Sequence, residues 1–178
     1  ALEFELNKQP DFTEDDVIKV LRNKTSALIA LACEIGAIVG RATKSQLAAA
    51  TGFGESTGVG FQIVDDLLNV VGDIQKYGKE IGGDIREGKR TIMAAHLVKS
   101  ASAGDRDRFM TLLGKPTISL EEIFQAIEMY KKYGSLDHAK RTADRYIEDG
   151  LGALKRLPKS NARQMLEALA RFLVQRQF

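Results

Sequence analysis

Gln62, Asp65, Asp66 and Asn69 recur at i, i+3, i+4 and i+7, the spacing that places four side chains on one face of an α-helix. Phe61, Ile63, Val64, Leu67, Leu68, Val70 and Val71 fill most of the remaining circumference, as expected for a helix inside a protein. Two adjacent carboxylates in an apolar setting repel one another and lose hydration, which is unfavourable unless cations or donors compensate. The stripe therefore predicts a lined cavity that holds a counter-charge. Carboxylate and amide oxygens are hard ligands, and Mg2+ binds through one or two carboxylates while keeping waters or phosphate oxygens in its other positions. Asp65 and Asn69, one turn apart, could share a direct or water-mediated metal contact. The plainer alternative is an exposed helix with solvated acids.

The next segment, 73–90, is rich in Gly and charge (DIQKYGKEIGGDIREGKR). Lys79, Lys89 and Arg90 flank Asp84, and Gly78, Gly82, Gly83 and Gly88 permit close backbone approach. Cations beside a metal-binding carboxylate pair suit a pyrophosphate, whose oxygens accept both metal coordination and Lys hydrogen bonds. Taken alone, the segment reads as a surface loop of mixed charge; following the acidic stripe directly, it reads as the second half of one site.

These residues need rigid elements to hold them. Pro10, Pro116 and Pro158 are the only prolines and fall between helical stretches. No stretch shows the two-residue alternation of a strand, so the fold class is all-α. Thr13 and Asp16 form a capping-box pair for a helix running through Val17, Val20, Leu21, Leu28, Leu31 and Ile35 to about Gly40. A second helix is predicted from Thr43 to Val71, about 44 Å long at the standard rise. Gly52, Gly54, Gly58 and Gly60 within it suit close approach of neighbouring helices. Further helices are predicted over 91–103, 105–113, 119–133, 136–157 and 161–175, with a Ser119/Glu122 capping box and a stop at Gly134.

Composition narrows the function. Lys and Arg number 26 against 24 acids, a net charge of +2, which gives no support to a nucleic-acid or polybasic membrane footprint. Cys33 is the one cysteine, so an internal disulfide is excluded and a reducing, cytoplasmic setting is expected. The longest apolar stretch, from Ser26 to Gly40, contains Glu34 and falls short of a membrane span; a soluble protein is expected. The chain opens without Met, in what reads as mid-element sequence. A fragment or a processed product is the expectation.

GFQIVDDLLNVVGD followed by GKEIGGDIREGKRT resembles the second aspartate-rich motif and downstream lysine loop of the trans-isoprenyl diphosphate synthases, the polyprenyl synthetase family. Upstream, Asn23-Lys24-Thr25 resembles the family's Lys-Thr element, and Leu157-Pro158 with ARQMLEALARFLVQR resembles its last two helices. The resemblance covers nearly the whole chain but only the family's C-terminal half. It implies the C-terminal part of the isoprenoid synthase helical bundle: 1–178 as a single all-α unit, the second aspartate-rich motif at 61–69 and the lysine loop at 73–90. It further implies a Mg2+-dependent prenyltransferase that condenses an allylic diphosphate with isopentenyl diphosphate, commonly a homodimer. Carried over by position, Asp65 would be the direct Mg2+ ligand. Asp66, Asn69 and Asp84 would support the metal through waters, and Lys24, Lys79 and Lys89 would hold the leaving diphosphate. Thr25 and Gln62 would contact the allylic substrate, with Phe61 beside the isopentenyl chain. Leu28, Ala32 and Ile35 are candidates for the cavity wall.

Two features depart from the family pattern. Asn69 stands where the family usually has a third Asp, which implies weaker metal affinity. The first aspartate-rich motif and the residues that hold isopentenyl diphosphate are absent from these 178 residues, so turnover would require the N-terminal half of the same enzyme. A non-catalytic, regulatory subunit of a prenyltransferase complex is the alternative, and a terpene cyclase-related protein a more distant one.

Overall fold

The computed structural model describes residues 2–71 and 81–174. Among these the secondary structure is helical without strands, as the missing two-residue alternation predicts. A short α1 (Leu2–Asn7) precedes α2 (Glu14–Leu21). The Thr13/Asp16 box forms as expected: Thr13 N–H donates to Asp16 Oδ2 at 2.9 Å and Asp16 N–H donates to Thr13 Oγ1 at 3.2 Å.

The expected unbroken helix to Gly40 is interrupted. Arg22–Ser26 form a π-helical turn, closed by the Ala27 N–H donating to the Arg22 carbonyl, and α3 then runs over Ala27–Val39. No Gly or Pro marks the interruption. Its origin lies in packing against α4 (Lys44–Val71), because two consecutive side chains both bond to that helix. Thr25 Oγ1 donates to Gln62 Oε1 at 2.7 Å, and Ser26 Oγ donates to the Glu55 carbonyl at 2.6 Å. The glycines of α4 make this approach possible: a Cβ on Gly58 would sit 2.6 Å from Ser26 Cα, and one on Gly54 2.7 Å from Ala30 Cα.

Beyond α4 the described part of the predicted loop holds a one-turn helix, α5 (Gly83–Arg86), entered through Gly82 at φ +76°. Helices α6 (Ile92–Ser100), α7 (Ala103–Leu112), α8 (Leu120–Lys132), α9 (Ser135–Leu154) and α10 (Asn161–Val174) follow. The Ser119/Glu122 capping box opens α8, and Gly134 stops it at φ +66°. Each lies within a few residues of its predicted span.

The contacts divide into two compact units, one of 1–20 and 65–140, the other of 21–64 and 141–177. In the first, Val17, Ile85, Ile92, Met93, Leu97, Phe109, Ile123 and Tyr130 are buried, and the Phe109 and Tyr130 rings meet 5.2 Å apart. In the second, Phe53, Ile147, Leu151, Leu154 and Ala170 form a cluster with Cys33, Ala153, Leu157 and Leu166 packed against it. Ala32 lines a cavity of about 650 Å³ in that unit, beside Phe53, Leu154 and Leu166. Leu28 and Ile35 do not join it; they are 71% and 52% exposed, on a side of α3 shared with Leu31, Ile38 and Val39. Helical spacing identified the apolar side of α3, but could not tell which part of it is covered. Among the described residues no helix is long and apolar enough to cross a membrane.

Candidate functional site

The stripe on α4 is inward-facing where its sequence demands compensation. Asp66 is 2% exposed, and the Lys89 ammonium lies against it, Nζ to Oδ1 2.7 Å. The same ammonium reaches Asp84 Oδ2 at 3.1 Å. Burial opposes the charge on Lys89, but Asp66 and Asp84 outweigh it and hold its pKa above the ordinary 10.5, so it is a cation at neutral pH. Asp84 behaves differently. Burial pushes its carboxyl up, Lys89 pulls it down, and Glu87 and Asp65 push it up again, leaving it above the usual carboxylate range. Asp66 takes the shorter bond to the shared ammonium, and Asp84 is left undercompensated beside Asp65.

Asn69 ties this arrangement to its helix. Its carbonyl oxygen accepts from Gly82 N–H at 2.8 Å and its side-chain Oδ1 accepts from Asp84 N–H at 2.9 Å. An amide in place of a carboxylate thus caps the first turn of α5 and sets the position of Asp84. Sequence spacing allowed Asn69 a metal contact shared with Asp65; this clamp was not visible in it, because the partner backbone lies 15 residues away.

Lys89 is aimed by its own turn. Gly88 adopts φ +72° with Gly114, itself at φ +79°, directly behind it; a Cβ on Gly88 would lie 2.9 Å from Gly114 Cα. Gly114 carried no signal in the sequence, since its role depends on a contact across 26 residues. Behind the charged cluster lies the fully buried Tyr130 hydroxyl. Burial pushes its pKa up, against a hydrogen bond with Thr91, and Asp84 and Asp66 add to the rise, so it remains a neutral hydrogen-bonding group.

Other candidates assemble separately. In the second unit Thr25 and Gln62 meet in the hydrogen bond already described, Gln62 being 9% exposed. Lys24 lies exposed on the π turn and Phe61 is half-buried on α4. Lys79, with Asp73 and Gly78, lies outside the described residues.

The donor set can be compared with what a divalent cation needs. Among the described residues, no three His, Cys, Asp or Glu side chains gather to form a complete protein cage. Asp65 and Asp84 nonetheless repel one another across a half-buried space, with Asp66 already committed to Lys89. One or two carboxylates with the rest of the sphere open is the requirement of Mg2+ meeting a phosphate, and these residues fit it.

An all-helical chain in which a long glycine-rich helix carries paired acids toward a lysine-bearing turn defines the class. The polyprenyl synthetase family model matches residues 1–130, and the chain belongs to that family. It is 36% identical over 177 residues to a short chain isoprenyl diphosphate synthase of Methanothermobacter thermautotrophicus, covering 99% of this chain and 54% of that protein. Among solved structures it matches a geranylgeranyl pyrophosphate synthetase of Pyrococcus horikoshii at a TM-score of 0.91 and 36% identity, covering 99% of this chain and 53% of the other. A geranylgeranyl pyrophosphate synthase of Corynebacterium glutamicum, solved with isoprenyl diphosphate and magnesium, matches at a TM-score of 0.91 and 30% identity, over 99% and 50% of the two chains. The chain spans about half the length of these relatives.

Proposed function

We propose that this chain supplies the C-terminal half of the active site of an isoprenyl diphosphate synthase, which joins an allylic diphosphate to isopentenyl diphosphate. The observation that carries the reading is the Asp66–Lys89–Asp84 cluster with Asp65 beside it: one ammonium bonded to two carboxylates, with a third close enough to Asp84 to push its pKa up. Mg2+ bound through Asp65, with Asp84 in support, would shield the charge of a diphosphate and favour its departure.

The chain's own residues divide the remaining work. Asp66 and Asp84 hold the Lys89 ammonium charged and in place, so that positive charge is already positioned where a leaving pyrophosphate gathers negative charge. Asn69 sets the backbone that carries Asp84. Thr25 and Gln62, mutually ordered by their hydrogen bond, contact the allylic substrate, and Lys24, Lys79 and Lys89 hold its diphosphate. Phe61 gives an apolar surface to the isopentenyl chain. The first aspartate-rich motif and the isopentenyl diphosphate anchors come from the N-terminal half of the same enzyme, and the whole enzyme is a homodimer. The lone Cys33 supports a reducing, cytoplasmic setting.

Calorimetric titration of geranyl diphosphate into this chain, with and without Mg2+, tests the reading. Binding should require Mg2+, and Asp65→Ala should weaken it by about tenfold or more; Mg2+-independent binding unchanged by Asp65→Ala refutes it. Incorporation of labelled isopentenyl diphosphate should be absent with this chain alone. Sustained turnover without a second polypeptide refutes the half-site assignment.

A further inference from the structure

Arg90 adjoins Lys89, yet its guanidinium goes to main-chain oxygens. Nη1 donates to the Gly88 carbonyl at 2.9 Å and Nη2 to the Gln9 carbonyl at 3.0 Å. Its backbone N–H donates to Asn7 Oδ1 at 3.0 Å, and the guanidinium lies 5.1 Å from the centre of the buried Phe12 ring. Arg90 itself is 9% exposed, and its Nε is buried without a hydrogen-bond partner. A buried guanidinium left incompletely satisfied is a poor choice for stability alone.

The bonds fall on the two peptide units that meet at the Lys89 Cα. In the unit entering Lys89, the Gly88 carbonyl is held by Arg90, and the Lys89 N–H donates to the Asp84 carbonyl at 2.9 Å. In the unit leaving Lys89, the N–H is held by Asn7. With both planes fixed, the backbone dihedrals of Lys89 are fixed, and so is the direction in which its side chain leaves the backbone. Gly88, backed by Gly114, removes the remaining slack.

We propose that Arg90 is a positioning residue for Lys89: its guanidinium ties the peptide entering Lys89 to the Gln9 carbonyl while Asn7 holds the peptide leaving it, so that the ammonium is presented to the diphosphate. This rests on the reading of Lys89 as a diphosphate-holding residue. Arg90→Lys keeps a cation but loses the planar fork that serves two carbonyls. Asn7→Ala frees the other peptide, the one leaving Lys89, at the Arg90 N–H and leaves the guanidinium unaltered. Both should be compared with Lys89→Met and the unaltered chain by calorimetric titration of inorganic pyrophosphate in Mg2+, and by NMR of the 15N-labelled lysine ammonium groups. A merely structural role would lower the melting temperature and leave these two readouts unmoved.

Arg90→Lys should weaken pyrophosphate about tenfold and Asn7→Ala about threefold. Both should lose the slowly exchanging Lys89 ammonium signal while melting cooperatively. Wild-type affinity and an intact ammonium signal in folded Asn7→Ala overturn the proposal, even if Arg90→Lys fails to fold. Wild-type affinity in Lys89→Met instead overturns the reading on which it rests, so the two failures are distinguishable.

Discussion

The charged cluster of the first unit and the neutral pair of the second solve the same problem by different physics. Buried Asp66 and half-buried Lys89 and Asp84 are charges that compensate one another, and their arrangement rests on a tight turn and a one-turn helix that bring lysine back to α4. Thr25 and Gln62 carry no charge. Their 2.7 Å hydrogen bond rests on a π turn and on glycines that let two backbones approach closely. The first arrangement is electrostatic and sensitive to loss of the Asp66–Lys89 pair. The second is steric and sensitive to added volume.

That contrast sets the order of expected effects. Asp66→Ala leaves a half-buried ammonium with only its longer, weaker partner and should cost about 3 kcal/mol, measured by urea denaturation. A loss below 1 kcal/mol would mean that the charges are not the organising term. Gly58→Ala inserts a Cβ 2.6 Å from Ser26 Cα, against backbone that cannot yield cheaply, and should cost about 2–3 kcal/mol. An equal response to Gly36→Ala, where nothing lies within 4 Å, would break the steric account. Thr25→Val keeps the shape and removes one donor to a buried amide, which should cost about 1 kcal/mol in the same assay.

The smallest effect has the opposite sign. Because the fold raises the Asp84 pKa, the folded state keeps this proton to higher pH than the unfolded chain. The charge on Asp84 therefore opposes folding, fully so once pH exceeds the raised value and not at all below its ordinary 3.8. Asp84→Asn should raise the melting temperature by about 2 °C at neutral pH and flatten this part of the acid dependence. Its affinity for Mg2+-pyrophosphate should fall. Lys89 titrates the other way: its raised pKa contributes stability that is complete below 10.5 and declines as pH rises beyond it. That decline should be missing from Lys89→Met.

Much of this was legible from residue types. The stripe on α4 had to be compensated because adjacent acids sat among Ile63, Val64, Leu67 and Leu68, and the small-residue run of α4 had to meet other backbones. The capping boxes at Thr13 and Ser119 formed as spelled. The π turn at Arg22–Ser26 was not legible, since it contains no helix-breaking residue and arises from two side chains satisfying one neighbouring helix. Nor was the short α5 within a glycine-rich segment, which needs Asn69 at its N-terminus.

The sequence by itself determined the helical class, the spacing of the acidic face and the presence of cations in the following segment, because these depend on local periodicity and composition. Only the tertiary structure decided which carboxylate each cation meets. It gave Lys89 to Asp66, gave the Asn69 amide to Asp84's backbone, and gave Arg90 to the carbonyls of Gly88 and Gln9. Such pairings are fixed by where distant backbone segments cross, and residue spacing along one helix carries no record of that.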